Sequence, residues 1–172
     1  YGVFSYSLNG NAFVEIATVE GTYQTAETLN YTWDISALPE GEVTVRFEAY
    51  DTAGIHNSLY EEKEIENTYI IDRSAPSKVT GVEVVGDEGA ISLQWESVSE
   101  NDIASYEVER AEEGENLFKK IKTTTNTLYC TDTNVKQGET YIYRICAVDI
   151  AGNKGEVSDE IYATVRRDEE AP

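Results

Sequence analysis

His56 is the only histidine in the 172 residues, two positions after Gly54 in a run of small and polar residues. Imidazole is the side chain best suited to proton transfer near neutral pH. No serine or cysteine motif accompanies this one, so no triad can be assembled around it. Carboxylates are plentiful, with 33 acidic residues against 13 basic ones. Sugar hydrolysis needs two of them held about 5 to 10 Å apart beside a cleft, and no pair is marked out by its surroundings. No catalytic residue is expected.

Cys130 and Cys146 could form a disulfide by residue type. Alternation speaks against it. Tyr141, Tyr143, Ile145 and Ala147 take the inward register, which turns Cys146 outward, while counting back from Val135 places Cys130 inward. Calcium is the natural cation for a chain of formal charge −20. Its usual acidic loop with alternating carboxylates and a glycine is missing, so neither a metal nor a cofactor is expected. Asp51 and Asp149 each precede an Ala-Gly turn, where a carboxylate accepts backbone N–H groups. Tyr50, Tyr129 and Tyr162 fall on the outward register but are too dispersed along the chain to nominate a sugar platform.

The elements that carry these residues are strands. Phe4, Tyr6 and Leu8 alternate into Asn9-Gly10, a pair suited to a turn that needs positive φ twice. Val14 and Ile16 continue on the return strand. Leu29, Tyr31, Trp33 and Ile35 then share a face, as do Val43, Val45, Phe47 and Ala49, and Thr68 to Ile71 closes the first half. Ser58 to Asn67 reads as a solvated loop with at most a helical turn. In the second half Ile91, Leu93 and Trp95 alternate, then Tyr106 and Val108, Phe118 and Ile121, Tyr141 to Ala147, and Ile161 to Val165. Short alternating runs separated by Gly, Asn, Asp and Ser turns predict an all-β chain of antiparallel sheets packed face to face. A pair of sandwiches this small, without a large insertion, offers no obvious cleft.

The chain also echoes itself. Ala49-Tyr50-Asp51-Thr52-Ala53-Gly54 matches Ala147-Val148-Asp149-Ile150-Ala151-Gly152, 98 residues later, and Ala75-Pro76 is echoed by Ala171-Pro172. Pro76 lies 73 residues before Asp149 but Tyr1 only 50 before Asp51. The first module thus reads as 23 residues short, about two strands. A chain that opens on Tyr1, with no methionine or signal peptide, reads as a piece of something longer. The missing strands would leave an edge for self-association.

Residues 76–166 resemble a fibronectin type III domain. Pro76 and Val79 stand at the approach to its first strand, Trp95 matches the buried tryptophan ending the second, and Tyr106 and Val108 match the third. Val135-Lys136-Gln137-Gly138-Glu139-Thr140-Tyr141 resembles the turn that sets up the family's tyrosine corner, with Gln137 in place of the usual proline and Glu139 in place of threonine. The resemblance implies that Cys130 and Cys146 lie in opposite sheets. Their Cα atoms would then be too far apart for the roughly 5.5 Å of a disulfide, so two free thiols are expected. Residues 1–75 are similar to bacterial Ig-like modules through Tyr6-Ser7-Leu8-Asn9-Gly10, Thr32-Trp33-Asp34-Ile35-Ser36 and Leu38-Pro39-Glu40-Gly41. The expected layout is an incomplete Ig-like sandwich at 1–75, a fibronectin type III domain at 76–167, and the start of a linker at 168–172. Trp33, Trp95, Tyr106 and Tyr141 are assigned to structural cores.

The charge of −20 repels phosphate, which argues against nucleic acid and anionic membrane surfaces. No run of about 18 apolar residues exists for a membrane helix. The expectation is a non-catalytic spacer and presentation segment, with adhesion through its loops, in a larger extracellular or wall-anchored bacterial protein. Its partners would be neighbouring modules, a host protein or a polysaccharide. The rival reading is an accessory polysaccharide-binding segment of a secreted carbohydrate-active enzyme.

Overall fold

Eleven strands and no helix make up the regular structure in the computed structural model, which describes residues 1–21, 30–50 and 64–167. The strands are β1 (Gly2–Leu8), β2 (Val14–Val19), β3 (Gly41–Ala49), β4 (Glu64–Ile71), β5 (Glu83–Asp87), β6 (Ala90–Gln94), β7 (Ile103–Glu112), β8 (Lys119–Thr124), β9 (Tyr129–Asp132), β10 (Thr140–Asp149) and β11 (Ile161–Thr164). They fall into two compact units, Tyr1–Arg73 and Ser74–Pro172.

In the first unit the sheet order is β2-β1-β3-β4, all antiparallel. Asn9 and Gly10 both take positive φ, 49° and 73°, and the Asn11 N–H donates to the Leu8 carbonyl at 3.0 Å. The turn is the expected one, but the return strand starts only at Val14. Asn9 is held instead by β3: its N–H donates to the Glu42 carbonyl and its side-chain oxygen accepts from the Glu42 N–H. Phe4, Tyr6 and Leu8 stand opposite Phe47, Val45 and Val43, so alternation on both strands builds a single apolar face.

The segment from Tyr31 to Ile35, expected as a strand, has no ladder partner among the described residues and crosses that face as a strap. The Tyr31 ring lies 6.1 Å from Phe4 and the Trp33 ring 4.7 Å from Tyr6. The strap ends where Asp34 accepts the Ser36 N–H and where Arg73 donates to the carbonyls of Ile35 and Leu38. Its alternation arises from packing onto a sheet rather than from membership of one. Glu64 to Asn67, expected within a loop, belongs to β4 and pairs with β3 from Glu48 to Val45. The long-range ladder overrides the low strand propensity of its charged residues. Ser58 to Lys63 and Leu29 lie outside the described residues.

The second unit has two sheets, β5-β6-β9 and β11-β10-β7-β8. Ile91, Leu93, Trp95 and Cys130 from the first meet Tyr106, Val108, Tyr141, Tyr143, Ile145, Ala147 and Ala163 from the second in one core. Each large side chain sealed there contributes roughly 1.5 to 3 kcal/mol of transfer free energy. The sheet edges come close where β5 passes β11: a Cβ on Gly86 would sit 2.1 Å from the Thr164 carbonyl oxygen. That contact requires glycine.

Candidate functional site

Trp95 and Tyr106 pack against each other in the second core with ring centroids 5.8 Å apart, and the Tyr106 hydroxyl accepts the Val98 N–H at 3.2 Å. Tyr141, at the start of β10, is buried and its hydroxyl accepts the Lys136 N–H at 3.0 Å, tying the preceding turn to the strand. Trp33 is only half-buried, as the strap position dictates. His56 and Asp51 lie outside the described residues.

A buried polar group joins the two sheets. Asp132 on β9 accepts the Tyr143 hydroxyl at 2.9 Å, the Arg110 guanidinium at 2.7 Å and the Asn134 N–H at 3.0 Å. Arg110 also donates to the Asn134 carbonyl and its guanidinium lies 5.0 Å from the Tyr141 ring centre. Burial, and then the Asp132 charge, push the Tyr143 hydroxyl far above the ordinary tyrosine range. Burial works against the Arg110 charge, but the Asp132 carboxylate outweighs it and raises the guanidinium further. Tyr143 and Arg110 are both held in their protonated forms, which suits a structural tie and not proton transfer. Sequence reasoning missed it because Arg110 and Asp132 are 22 residues apart and neither position stands out.

Both cysteines are free and buried. Cys130 joins the core from β9, while Cys146 on β10 takes the opposite face of its sheet. Cys146 takes the outward register, as expected, yet is only 4% exposed. Glu107, directly opposite Cys146 on β7, is clamped over that face by Lys120 at 2.8 Å and Lys154 at 2.6 Å. Burial raises both thiols, reinforced at Cys146 by the Glu107 and Glu109 charges. Such thiols are poor nucleophiles. The two lysine hydrogen bonds hold Glu107 below its ordinary value.

Asp149 does what its place before Ala-Gly suggests. Its carboxylate accepts the Asn153 backbone N–H at 2.8 Å and the Asn153 amide at 2.9 Å. Burial pushes the carboxyl up, but these bonds outweigh it and leave Asp149 below the usual range. Of the outward tyrosines, Tyr50 stacks on Tyr1 at 5.0 Å, while Tyr129 and Tyr162 are 64% and 55% exposed on opposite sheets. They cannot share one platform.

Among the described residues of the second unit, three of the concavities bear on these side chains. One of about 250 Å³ lies beside Arg110, Lys122 and Cys130. A second, of about 390 Å³, is bounded by Glu100, Tyr106 and Asn126. The third, of about 410 Å³, runs along Glu83, Gln94, Trp95, Glu96 and Tyr129.

Three strands facing four across a single core, with a tyrosine hydroxyl anchoring the turn before a central strand, define an Ig-like β-sandwich. Residues 74–164 match the fibronectin type III domain, and the chain belongs to that family. It is similar to an amylopullulanase from Thermoanaerobacter thermohydrosulfuricus, 32% identical over 90 residues that make up 52% of this chain and 6% of that protein. An amylopullulanase from Thermoanaerobacterium saccharolyticum is 33% identical over 93 residues, 54% of this chain and 7% of that protein. The chain thus spans less than a tenth of the length of these relatives. Among solved structures, the chicken CNTN1 FN1–FN3 domains cover 96% of this chain and 55% of their own at a TM-score of 0.69 and 17% identity, a likeness of fold alone. A Fn3-like protein from Clostridium thermocellum is 29% identical, covering 56% of this chain and 100% of its own, with a TM-score of 0.47.

Proposed function

We propose that this chain is a non-catalytic accessory segment of a larger secreted bacterial carbohydrate-active enzyme, where it spaces and presents neighbouring modules. The carrying observation is the pattern of likeness to amylopullulanases: about 90 residues match, amounting to 5 to 7% of each relative. A match of that kind follows a portable module, not a catalytic domain. The polar chemistry inside the second sandwich supports the reading, because Asp132, Tyr143 and Arg110 satisfy one another. In this reading residues 1–75 form an Ig-like module, residues 76–167 the fibronectin type III module, and residues 168–172 lead onward. Pro76 stiffens the joint between modules, and the charge of −20 keeps a segment in a crowded extracellular assembly soluble.

Deleting residues 1–172 from the parent enzyme should leave turnover of a short soluble oligosaccharide unchanged and reduce turnover of the polymer. The isolated chain should release no reducing sugar from pullulan. Hydrolysis by the isolated chain, or loss of turnover on the short substrate, would overturn the proposal.

A further inference from the structure

The third concavity is built from one cross-strand row and the turn beyond it. Glu83 on β5, Gln94 on β6 and Tyr129 on β9 stand side by side, since Glu83 pairs with Gln94 and Gln94 with Tyr129. All three point away from the core, and the Gln94 amide donates to Glu83. Beyond the row, Glu96 folds over Gly81, whose φ of +62° favours glycine and whose Cβ would lie 2.5 Å from the Glu96 side chain. The Glu96 N–H donates to the Thr80 carbonyl at 3.1 Å, which fixes this end. Trp95 lines the same groove, and its buried indole N–H has no hydrogen-bond partner among the described residues.

These parts match one ligand chemistry. Tyr129, 64% exposed on β9, offers a flat ring whose negative face suits the C–H face of a pyranose. Beside it stand an amide with both donor and acceptor capacity and two acceptor-only carboxylates, the set that reads neighbouring hydroxyls. The volume of about 410 Å³ falls within the range of small-molecule sites. The paired charges of Glu83 and Glu96 disfavour an anionic polysaccharide. We propose that this groove binds a neutral glucan chain, with Tyr129 stacking on one sugar ring and Gln94, Glu83 and Glu96 receiving its hydroxyls. The proposal rests on the accessory-segment reading and names the ligand class for it.

The test is calorimetry and affinity electrophoresis of the 172-residue chain with pullulan, maltoheptaose and cellohexaose, and with polygalacturonate as the anionic control. At least one neutral glucan should bind and polygalacturonate should not. Tyr129→Ala should weaken binding about tenfold or more, while Tyr129→Phe, which keeps the ring, should stay within about threefold. Tyr129 is exposed, so unchanged melting of both variants is expected and separates lost contact from lost fold. No binding to any neutral glucan overturns the proposal, as does equal binding of polygalacturonate or wild-type affinity in Tyr129→Ala. An inert groove in a segment whose deletion still slows turnover of the polymer removes this inference alone. Hydrolysis by the chain itself would instead remove the accessory reading.

Discussion

Asp132 accepts three hydrogen bonds from three different parts of the second unit, and its carboxylate is 5% exposed. Removing it strands the Arg110 charge and the Tyr143 hydroxyl in a low-dielectric interior. Asp132→Ala should therefore cost about 3 to 5 kcal/mol, while Tyr143→Phe, which deletes one donor and leaves the ion pair intact, should cost about 1 to 2 kcal/mol. Urea unfolding of the two variants checks the order; equal losses would mean that the ion pair contributes nothing. Glu107 gives a pH signature. Its folded value is held below the ordinary 4.5, so its contribution is fully present above that value and disappears as pH falls through the folded one. Glu107→Gln should lower the melting temperature at pH 7, and the gap to wild type should close steadily once the pH drops below 4.5.

The strands of the second unit differ in how they meet their neighbours. Where β5 passes β11, Gly86 lets the sheets close, and the parallel bridge from Glu88 to Arg166 continues the contact. Gly86→Ala forces a methyl group against the Thr164 carbonyl, a backbone atom that cannot swing aside. A loss of about 1 to 3 kcal/mol is expected from overpacking. Gly89→Ala serves as a control, since its Cβ would meet nothing within 4 Å although its φ of +76° carries a conformational cost. If Gly86→Ala melts no lower than Gly89→Ala, the sheets tolerate separation at this edge.

The two units are unequally sealed. The second holds a core of thirteen buried residues, whereas Val43 and Ile71 are the buried hydrophobic residues of the first among those described. Trp95→Ala should destabilise the second unit by about 3 to 5 kcal/mol. Trp33→Ala, at a half-buried position on the strap, should cost the first unit less and leave the melting of the second untouched. Calorimetry resolving two transitions, each moved by its own variant, is the expected result; a single transition moved by both would join the units energetically.

Alternation at Ile91, Leu93 and Trp95, and again from Tyr141 to Ala147, determined the strand character and inward faces of the second unit, because a half-buried strand has no other way to separate apolar from polar side chains. Trp95, Tyr106 and Tyr141 were legible as core for the same reason. Tyr31 and Trp33 misled, since a strap laid across a sheet buries alternate residues just as a strand does, and only a ladder of hydrogen bonds distinguishes the two. The outward register of Cys146 was readable, but its burial was not, since the lysine-clamped Glu107 facing it comes from another strand. The groove beside Tyr129 lay beyond the sequence too. An outward tyrosine could be counted, but Glu83, Gln94 and Tyr129 become neighbours only through registers across three strands. Periodicity is a local property of the chain and is written in it; adjacency across strands is set by long-range pairing, which tertiary structure alone decides.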